Sequence, residues 1–234
     1  MVLMSDIADR ILYEDNHLVI VNKLPGELVQ GDETGDRTLA DDVKAYLKEK
    51  YNKPGNVFLG IPHRLDRPTS GIVVYCKTDK ALSRMTALFR TSDIKKTYWA
   101  IVDKAPERKE GELVHYITRS ADSNKSIASA KERKGAKIAK LSYRLLASSD
   151  NYHLLEIDLH TGRHHQIRAQ LAAMGMHIKG DLKYGAARSN PDGGISLHAR
   201  RVSFIHPIKK EKLTIIAPPP HSTLWDYFTS NAGE

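Results

Sequence analysis

The sequence predicts an α+β fold: a mixed, largely antiparallel sheet with flanking helices and loops. Strand-like and helical segments alternate along the 234 residues without the regular rhythm of a parallel, doubly wound sheet. Several strand-like runs in the second half follow one another closely, which favours antiparallel pairing. No repeat or low-complexity tract divides the chain, and its length suits one domain with a full hydrophobic core. We therefore expect a single domain over residues 1–234.

Two helices in the first half of the chain are predicted from their N-terminal caps. Thr38 and Asp41 have the spacing of a capping box. The apolar face of the helix that follows is formed by Leu39, Val43, Tyr46 and Leu47. A second helix is predicted to begin near Thr78, and its apolar positions are Leu82, Met85, Leu88 and Phe89. Between the two helices the run 72–76 is almost wholly apolar, which is typical of a buried strand.

The second half of the chain is predicted to supply most of the sheet. Strand-like runs lie at 95–103, 112–118, 136–147, 152–159, 196–205 and 213–216. A turn at Gly162 separates the fourth of these runs from a further helical pattern. The tail, 221–234, predicts a short docked helix. Its apolar positions at helical spacing are Leu224, Trp225 and Phe228.

The charge balance indicates a polyanionic partner. The chain has 36 Lys plus Arg against 28 Asp plus Glu, which gives a net charge of +8. The densest positive stretch is 119–144, with eight basic and two acidic residues. This stretch predicts a long hairpin with its tip at Lys125–Gly135. Such a hairpin is either a track for nucleic acid or a solvated charged loop.

Cysteine usage and hydropathy predict the compartment. The single cysteine, Cys76, excludes an intramolecular disulfide and indicates a reducing environment. Its place in an apolar strand identifies it as a core residue. The N-terminus lacks the pattern of a secretory leader, and no run of eighteen apolar residues occurs. We therefore expect a cytoplasmic protein that does not associate with a membrane. We also expect a monomer without an obligate protein partner.

Residues 63–71, HRLDRPTSG, place the carboxylate of Asp66 between two guanidinium groups, those of Arg64 and Arg67. Cationic neighbours within a few ångströms favour the ionised form of a carboxyl group. Pro68 and the turn formers after it place Asp66 on a loop that leads into a buried strand, a common position for catalytic residues. An ionised Asp66 is a candidate nucleophile, and the alternative is a turn-capping residue with ordinary surface ion pairs.

Residues 159–171, LHTGRHHQIRAQL, form a second cluster of polar side chains where a strand ends and a helix begins. The first turn of a helix has free backbone N–H groups and the positive end of the helix dipole. The polar residues expected to crowd this turn are Arg163, His164, His165, Gln166 and Arg168. Such a cluster suits an anion, either a phosphate or the Asp66 carboxylate.

The two motifs together resemble those of the RluA-type pseudouridine synthases. The likeness starts near Tyr13 in YEDNHLVIVNK, and it includes HRLDRPTSG, KTYWAIV at 96–102 and HTGRHHQIRAQLAAMG at 160–175. It continues through GDLKYG at 180–185 to LHA at 197–199 and FIHP at 204–207. The resemblance implies a mixed, largely antiparallel sheet around a central catalytic cleft. It also implies a single pseudouridine synthase catalytic domain over 1–234, with an N-terminal extension at 1–12 and a C-terminal tail at 221–234.

The resemblance implies an RNA pseudouridine synthase, an enzyme that detaches uracil from its ribose, turns the base and rejoins it through carbon 5. It makes Asp66 the essential catalyst and Arg168 the arginine that pairs with it. Tyr98 matches the family's active-site tyrosine, whose ring can stack on the target base. The expected RNA contacts are Arg64, Arg67, Arg163, His165 and Gln166, each of which is otherwise a plain surface residue. The reaction needs no metal and no redox cofactor.

Three further questions bear on function. His160 and His164 are four residues apart, but the pair spans a turn with no carboxylate or cysteine at zinc-ligand spacing, so we predict no metal site. Only twelve residues precede the segment that resembles the family. In this respect the chain resembles the family's single-domain members, which modify stem-loops in transfer RNA, ribosomal RNA or both. The alternatives are a catalytically silent RNA-binding protein of the same fold and an RNA hydrolase that uses the histidine cluster with Asp66.

Overall fold

The structure, a computed structural model, describes residues 6–33, 35–120 and 123–233. Its strands are β1 (Ile11–Glu14), β2 (Leu18–Lys23), β3 (Ser70–Cys76), β4 (Lys95–Val102), β5 (Glu110–Arg119), β6 (Ser126–Ser129), β7 (Lys137–Ser148), β8 (His153–Leu159), β9 (Leu197–Ile205) and β10 (Lys212–Ile216). Its helices are α1 (Leu39–Lys50), α2 (Asp79–Thr91), α3 (Gln166–Ala173) and α4 (Thr223–Asn231). Short 3-10 helices lie at Ile7–Arg10 and Leu182–Tyr184.

The strands of the described residues form one sheet in the order β1-β2-β3-β9-β4-β8-β7-β5-β6, with β10 also paired to β9. Within these residues the pairing of β3 with β9 is parallel and the other strand pairs are antiparallel. The predicted α+β class, with a mixed, largely antiparallel sheet, is confirmed. The parallel pair lies near the middle of the strand order and joins the N-terminal strands to the rest.

Gly71 fixes the junction between the HRLDRPTSG loop and the sheet. Its φ is +110°, and an added Cβ would lie 2.4 Å from the carbonyl oxygen of Ala199 in β9. Only glycine adopts this backbone and also permits such a close approach of two strands. The loop that carries Asp66 is therefore attached to the centre of the sheet at a fixed point.

The two predicted N-caps begin helices α1 and α2. Thr38 and Asp41 form both bonds of a capping box, and the Thr78 hydroxyl accepts the N–H of Ala81. Alternating residues of β2 and β3 send their side chains to opposite faces of the sheet. One face packs against α1 through Val19 and its neighbours, and the other packs against α2. The two helices thus cover both faces of the N-terminal strands.

Helices α3 and α4 cover the two faces of the central strands β4 and β8. Ala100 and Val102 pack in the cluster that contains α3, whereas Trp99 and Ile101 pack against α4. The predicted C-terminal helix is confirmed, with buried Trp225 and Phe228 as its anchors. Tyr98 contacts both the α2 cluster and the α3 cluster, which places it at the join between them.

The basic stretch 119–144 follows the predicted long hairpin, because β5 and β7 pair antiparallel on either side of it. Residues 121–122 of the stretch lie outside the described ranges. The predicted tip, Lys125–Gly135, contains a strand that was not predicted, because Ser126–Ser129 form β6 on the edge of β5 that β7 leaves open. Ser126 is buried and donates its backbone N–H to the Tyr184 hydroxyl at 2.7 Å. A buried backbone group needs such a partner, so this bond holds the segment against the sheet edge beside α3.

Two smaller predictions concern the chain's beginning and its core. Residues 1–5 of the predicted N-terminal extension lie outside the described residues, and β1 begins within that extension at Ile11. Cys76 is fully buried in β3, and its burial raises the pKa of the thiol to about 12, as expected for a core residue. In the described ranges no helix has the length and apolar character needed to span a membrane.

Candidate active site

A cleft of about 740 Å³ brings the two polar motifs together. Its walls come from the HRLDRPTSG loop, the turn between β8 and α3, the segment 28–32 and the first residues of β4. The lining side chains with functional groups include His63, Arg64, Asp66, Lys96, Tyr98, Arg163, His165 and Arg168. The volume falls within the roughly 300–1,000 Å³ of ordinary ligand sites.

Asp66 pairs with Arg168 at the base of this cleft. The Nη1 atom of Arg168 lies 3.0 Å from Oδ2 of Asp66, although the two residues are 102 positions apart in the sequence. The predicted pairing of these two residues is present in the structure. The Asp66 side chain is 28% exposed, so the carboxylate is held by the protein and remains open to the cleft.

Asp181 holds Arg168 from the other side. The guanidinium donates to both carboxylate oxygens of Asp181, from Nε at 2.7 Å and from Nη2 at 2.9 Å. The Arg168 and Asp181 side chains are 5% and 2% exposed. Burial opposes the charged form of Arg168, but the bonds to Asp181 and the charge of Asp66 raise its pKa overall. Asp181 therefore fixes the cation that faces Asp66, a role that sequence reasoning did not assign to it.

Among the described residues, neither of the arginines beside Asp66 in the sequence forms an ion pair with it. Arg67 donates from Nε to the carbonyl oxygen of Gly26 at 3.0 Å and from Nη2 to Asp36 at 2.9 Å. Arg64 is exposed at the cleft wall. The cation that bonds to Asp66 in the structure is that of Arg168.

His165 lines the cleft and faces Asp66, and its predicted contact with RNA stays a prediction. Its Nε2 lies 3.5 Å from Oδ2 of Asp66, and its Nδ1 lies 2.9 Å from the hydroxyl of Tyr184. The side chain is 7% exposed, and its backbone has a φ of +51°, the left-handed region. Burial lowers the pKa of His165 to about 4 despite the nearby charge of Asp66. The imidazole is therefore neutral at pH 7.

Gln166 forms hydrogen bonds within the protein, and its predicted contact with RNA stays a prediction. Its Oε1 accepts the backbone N–H of Arg163 and the hydroxyl of Thr161, and its Nε2 donates to the carbonyl oxygen of Lys140. Helix α3 begins only at Gln166, so Arg163 and His164 lie in the turn before the helix rather than in its first turn. Gln166 shapes this turn and ties it to β7.

The three histidines of this turn each meet a different hydroxyl group. His160 lies 2.6 Å from the Ser142 hydroxyl, and His164 lies 2.9 Å from that of Ser126. His165 has Tyr184 as its partner. Over the described residues, no group of three or more His, Cys, Asp or Glu has the arrangement of a metal site.

Tyr98 lies on β4 at the cleft, as the motif around it predicts. Burial, together with the charge of Asp66, raises the pKa of the phenol, which therefore stays protonated near neutral pH. The cleft wall also includes His63, which stacks on Phe89 with ring centroids 4.2 Å apart. Burial lowers the pKa of His63 to about 3, and its Nε2 accepts the N–H of Val74 at 2.9 Å. His63 is therefore a neutral support of the wall.

Two lysines near Asp66 were missed by sequence reasoning. Lys23 is fully buried and donates to the carbonyl oxygens of Leu24 and Arg67, at 3.0 and 2.9 Å, which holds the Asp66 loop from below. Its pKa is lowered to about 7 by burial. Lys96 lines the cleft two residues before Tyr98, and burial lowers its pKa. Among the described residues the Lys96 ammonium has no ion-pair partner, so it is a free cation in the wall.

Comparison with known proteins assigns the family. Residues 17–173 match the sequence model of the family described as RNA pseudouridylate synthase. This match spans both motifs and more than half of the chain. The chain belongs to the RNA pseudouridine synthase family. The predicted resemblance is thereby confirmed, and the protein is an isomerase that acts on uridine in RNA.

Relatives of the synthase agree with this assignment. An uncharacterised RNA pseudouridine synthase of Synechocystis is 34% identical over 223 residues, which cover 94% of this chain and 68% of that protein. The ribosomal large subunit pseudouridine synthase D of Zymomonas mobilis is 33% identical, with 92% of this chain and 71% of that protein covered. The human RNA pseudouridylate synthase domain containing 4 shares the fold, with a TM-score of 0.78 at 24% identity over 97% of this chain and 94% of the human one.

Proposed function

We propose that this synthase isomerises a uridine turned out of structured RNA, with Asp66 as the catalytic residue. The observation that carries this proposal is the placement of Asp66 in the cleft, held through Oδ2 by Arg168 and facing the same space as Tyr98. A charge-assisted bond to a buried arginine keeps a carboxylate ionised and oriented. Such a carboxylate is what a reaction at the sugar or base of uridine requires.

The isomerisation conserves every atom of the nucleotide. The bond between carbon 1′ and nitrogen 1 breaks, a bond between carbon 1′ and carbon 5 forms, and the proton on carbon 5 moves to solvent while nitrogen 1 gains one. Attack of Asp66 on the base, attack on the sugar and removal of a sugar proton all start from the same ionised carboxylate. The walls of the cleft are proposed to keep the detached uracil beside its ribose, which converts the second step into an intramolecular one.

The cleft offers contacts to both faces and the edge of a uracil ring. Tyr98 supports stacking on the base, with its hydroxyl near carbon 5. Lys96 supplies an unpaired cation beside Tyr98 for a uracil carbonyl oxygen or a flanking phosphate. Arg64, exposed at the wall, is suited to fill the space that the turned-out base vacates. Arg67 and Arg163 lie beside it for the neighbouring phosphates.

The basic stretch 119–144 is the proposed track for the rest of the RNA. It leads from the outer strands β5, β6 and β7 to the cleft, and Asn124 lies in the cleft lining. If six of its basic side chains meet phosphates of single-stranded RNA, log K falls with log salt with a slope of about −4. This continuity with the cleft favours an RNA track over a solvated loop.

The proposed substrate is a stem-loop of ribosomal or transfer RNA. The Zymomonas relative is named for the large ribosomal subunit, which favours ribosomal RNA. We also propose that the described residues act as one catalytic domain, since their strands form a single sheet, and that the enzyme works as a monomer in the cytoplasm. It is proposed to need no redox cofactor, because the isomerisation causes no net oxidation or reduction, and no metal, because the Asp66 carboxylate is the proposed catalyst.

The test is to map pseudouridine in unmodified transfer and ribosomal RNA after incubation with the wild-type protein and with Asp66→Asn, which keeps the size of the side chain. New sites made only by the wild type would support the proposed reaction and catalyst and would name the substrate. Tight, salt-sensitive RNA binding without any pseudouridine would favour a silent binding protein. Shortened RNA would favour a hydrolase.

A further inference from the structure

The Asp66 carboxylate is held on one of its two oxygens. Arg168 Nη1 at 3.0 Å and His165 Nε2 at 3.5 Å both approach Oδ2. Among the described residues Oδ1 has no hydrogen-bond partner, although Asp66 lines the cleft. The oxygen that is available to a substrate is therefore Oδ1, and its direction depends on the two groups that hold Oδ2.

The second of these groups is itself held by Tyr184. The Tyr184 hydroxyl lies 2.9 Å from Nδ1 of His165 and accepts the backbone N–H of Ser126 at 2.7 Å. Burial raises the pKa of Tyr184, so its hydroxyl keeps its proton. The Tyr184 ring also lies under the guanidinium of Arg168, 4.9 Å from its central carbon. One side chain thus contacts both groups that hold Asp66.

The hydrogen-bond partners determine which nitrogen of His165 carries the proton. A neutral imidazole has one N–H group. If that proton were on Nδ1, the lone pair of Nε2 would face the Asp66 carboxylate, and two acceptors would oppose each other. With the proton on Nε2, His165 directs an N–H group at Oδ2 of Asp66 across 3.5 Å, and its Nδ1 accepts the hydroxyl proton of Tyr184. Only the second arrangement gives every donor an acceptor along the chain from Ser126 to Asp66.

We propose that Tyr184 is a positioning residue for catalysis, which acts through His165 to hold Oδ2 of Asp66 and so to aim Oδ1 at the target nucleotide. This proposal rests on the proposed catalytic role of Asp66. The hydrogen-bonded chain starts at β6, inside the basic stretch proposed to carry RNA, so the RNA track and the catalytic carboxylate share one support. The 3.5 Å contact between His165 and Asp66 is of the length that catalytic hydrogen bonds often have before substrate binds.

The kinetic test uses Tyr184→Phe, which removes the hydroxyl but keeps the ring under Arg168. Its single-turnover rate of pseudouridine formation should fall about tenfold, while the Kd for the same RNA stays within twofold of wild type. The matched control is Tyr46→Phe, which loses a hydroxyl bonded to Glu14 at 3.0 Å on helix α1, outside the cleft lining. A Tyr184→Phe rate within twofold of this control overturns the proposal, as does a loss of rate explained wholly by Kd.

A spectroscopic test requires neither RNA nor activity. The ¹⁵N chemical shifts of the His165 ring, assigned with His165→Gln, should show a protonated Nε2 and a bare Nδ1 at pH 7.5, and Tyr184→Phe should change them. A protonated Nδ1 in the wild type overturns the proposal. His165→Gln, which keeps an N–H donor, should retain several times more activity than His165→Ala, and equal activities would contradict the proposed donor. If the wild type forms no pseudouridine on any RNA tested, the proposed function is refuted. The ¹⁵N shifts of the His165 ring test the contacts from Tyr184 through His165 to Asp66 independently of that outcome.

Discussion

Removal of the Arg168 guanidinium should have two separable consequences, one for stability and one for catalysis. In Arg168→Met, the buried Asp181 carboxylate loses both of its bonds, at 2.7 and 2.9 Å. An uncompensated buried charge typically costs about 3–5 kcal/mol of unfolding free energy. Asp66 also loses its 3.0 Å charge-assisted bond. Such bonds contribute about 1.5–3 kcal/mol, which corresponds to a rate loss of roughly 10- to 150-fold.

A double variant separates the two effects. Arg168→Met combined with Asp181→Asn removes the buried charge, so most of the lost unfolding free energy should return. Asp66 still lacks its cation in the double variant, so the rate should stay low. Urea unfolding measures the first quantity, and single-turnover formation of pseudouridine on saturating RNA measures the second. Recovery of wild-type activity together with stability would refute the view that Arg168 acts on Asp66.

Three further predictions address the RNA track, Lys96 in the cleft and His63. Replacement of four lysines of the basic stretch by glutamine should make the slope of log K for RNA against log salt shallower by about 3. An unchanged slope would identify the stretch as a solvated loop. The four positions are Lys125, Lys131, Lys137 and Lys140. Lys96→Met should weaken RNA binding or slow the reaction by about tenfold, whereas Lys44→Met on the α1 surface should do neither; equal behaviour of the two variants would remove Lys96 from the site. The pKa of His63 is about 3 in the fold, against an ordinary value near 6.5, so the unfolded state binds the extra proton and stability should fall as the pH drops from 6.5 towards 3. His63 should contribute a slope of about 1.4 kcal/mol of unfolding free energy per pH unit. Urea unfolding at several pH values should give a shallower slope for His63→Gln than for the wild type, and identical slopes would contradict this role of His63.

Local signals in the sequence predicted the helices and most strands, because their causes lie within a few residues. The caps at Thr38 and Thr78 act on the N–H groups of the next turn, so the start of each helix can be read directly. Continuous apolar runs such as 72–76 likewise predicted buried strands. The short strand β6 was missed because the group that holds Ser126 is the Tyr184 hydroxyl, 58 positions away.

Some features of the candidate site could likewise be inferred from the sequence, and others depend on the fold. The pairing of Asp66 with Arg168 was inferred from family motifs, since no local rule links residues 102 positions apart. His165 was expected to contact the RNA backbone together with Arg67, Arg163 and Gln166. Its left-handed backbone turns the ring inward, and sequence alone does not reveal this conformation for a histidine. Asp181 acquires its role only from the fold, because it acts through Arg168.

The central claim is that Asp66 performs the isomerisation in this cleft. The most direct measurement is pseudouridine formation on a single RNA stem-loop by the wild type and by Asp66→Asn, with RNA affinity measured for both. The wild type should convert one uridine, and Asp66→Asn should form no detectable pseudouridine while its Kd stays within a few fold. Conversion by Asp66→Asn at a rate near that of the wild type would contradict the account.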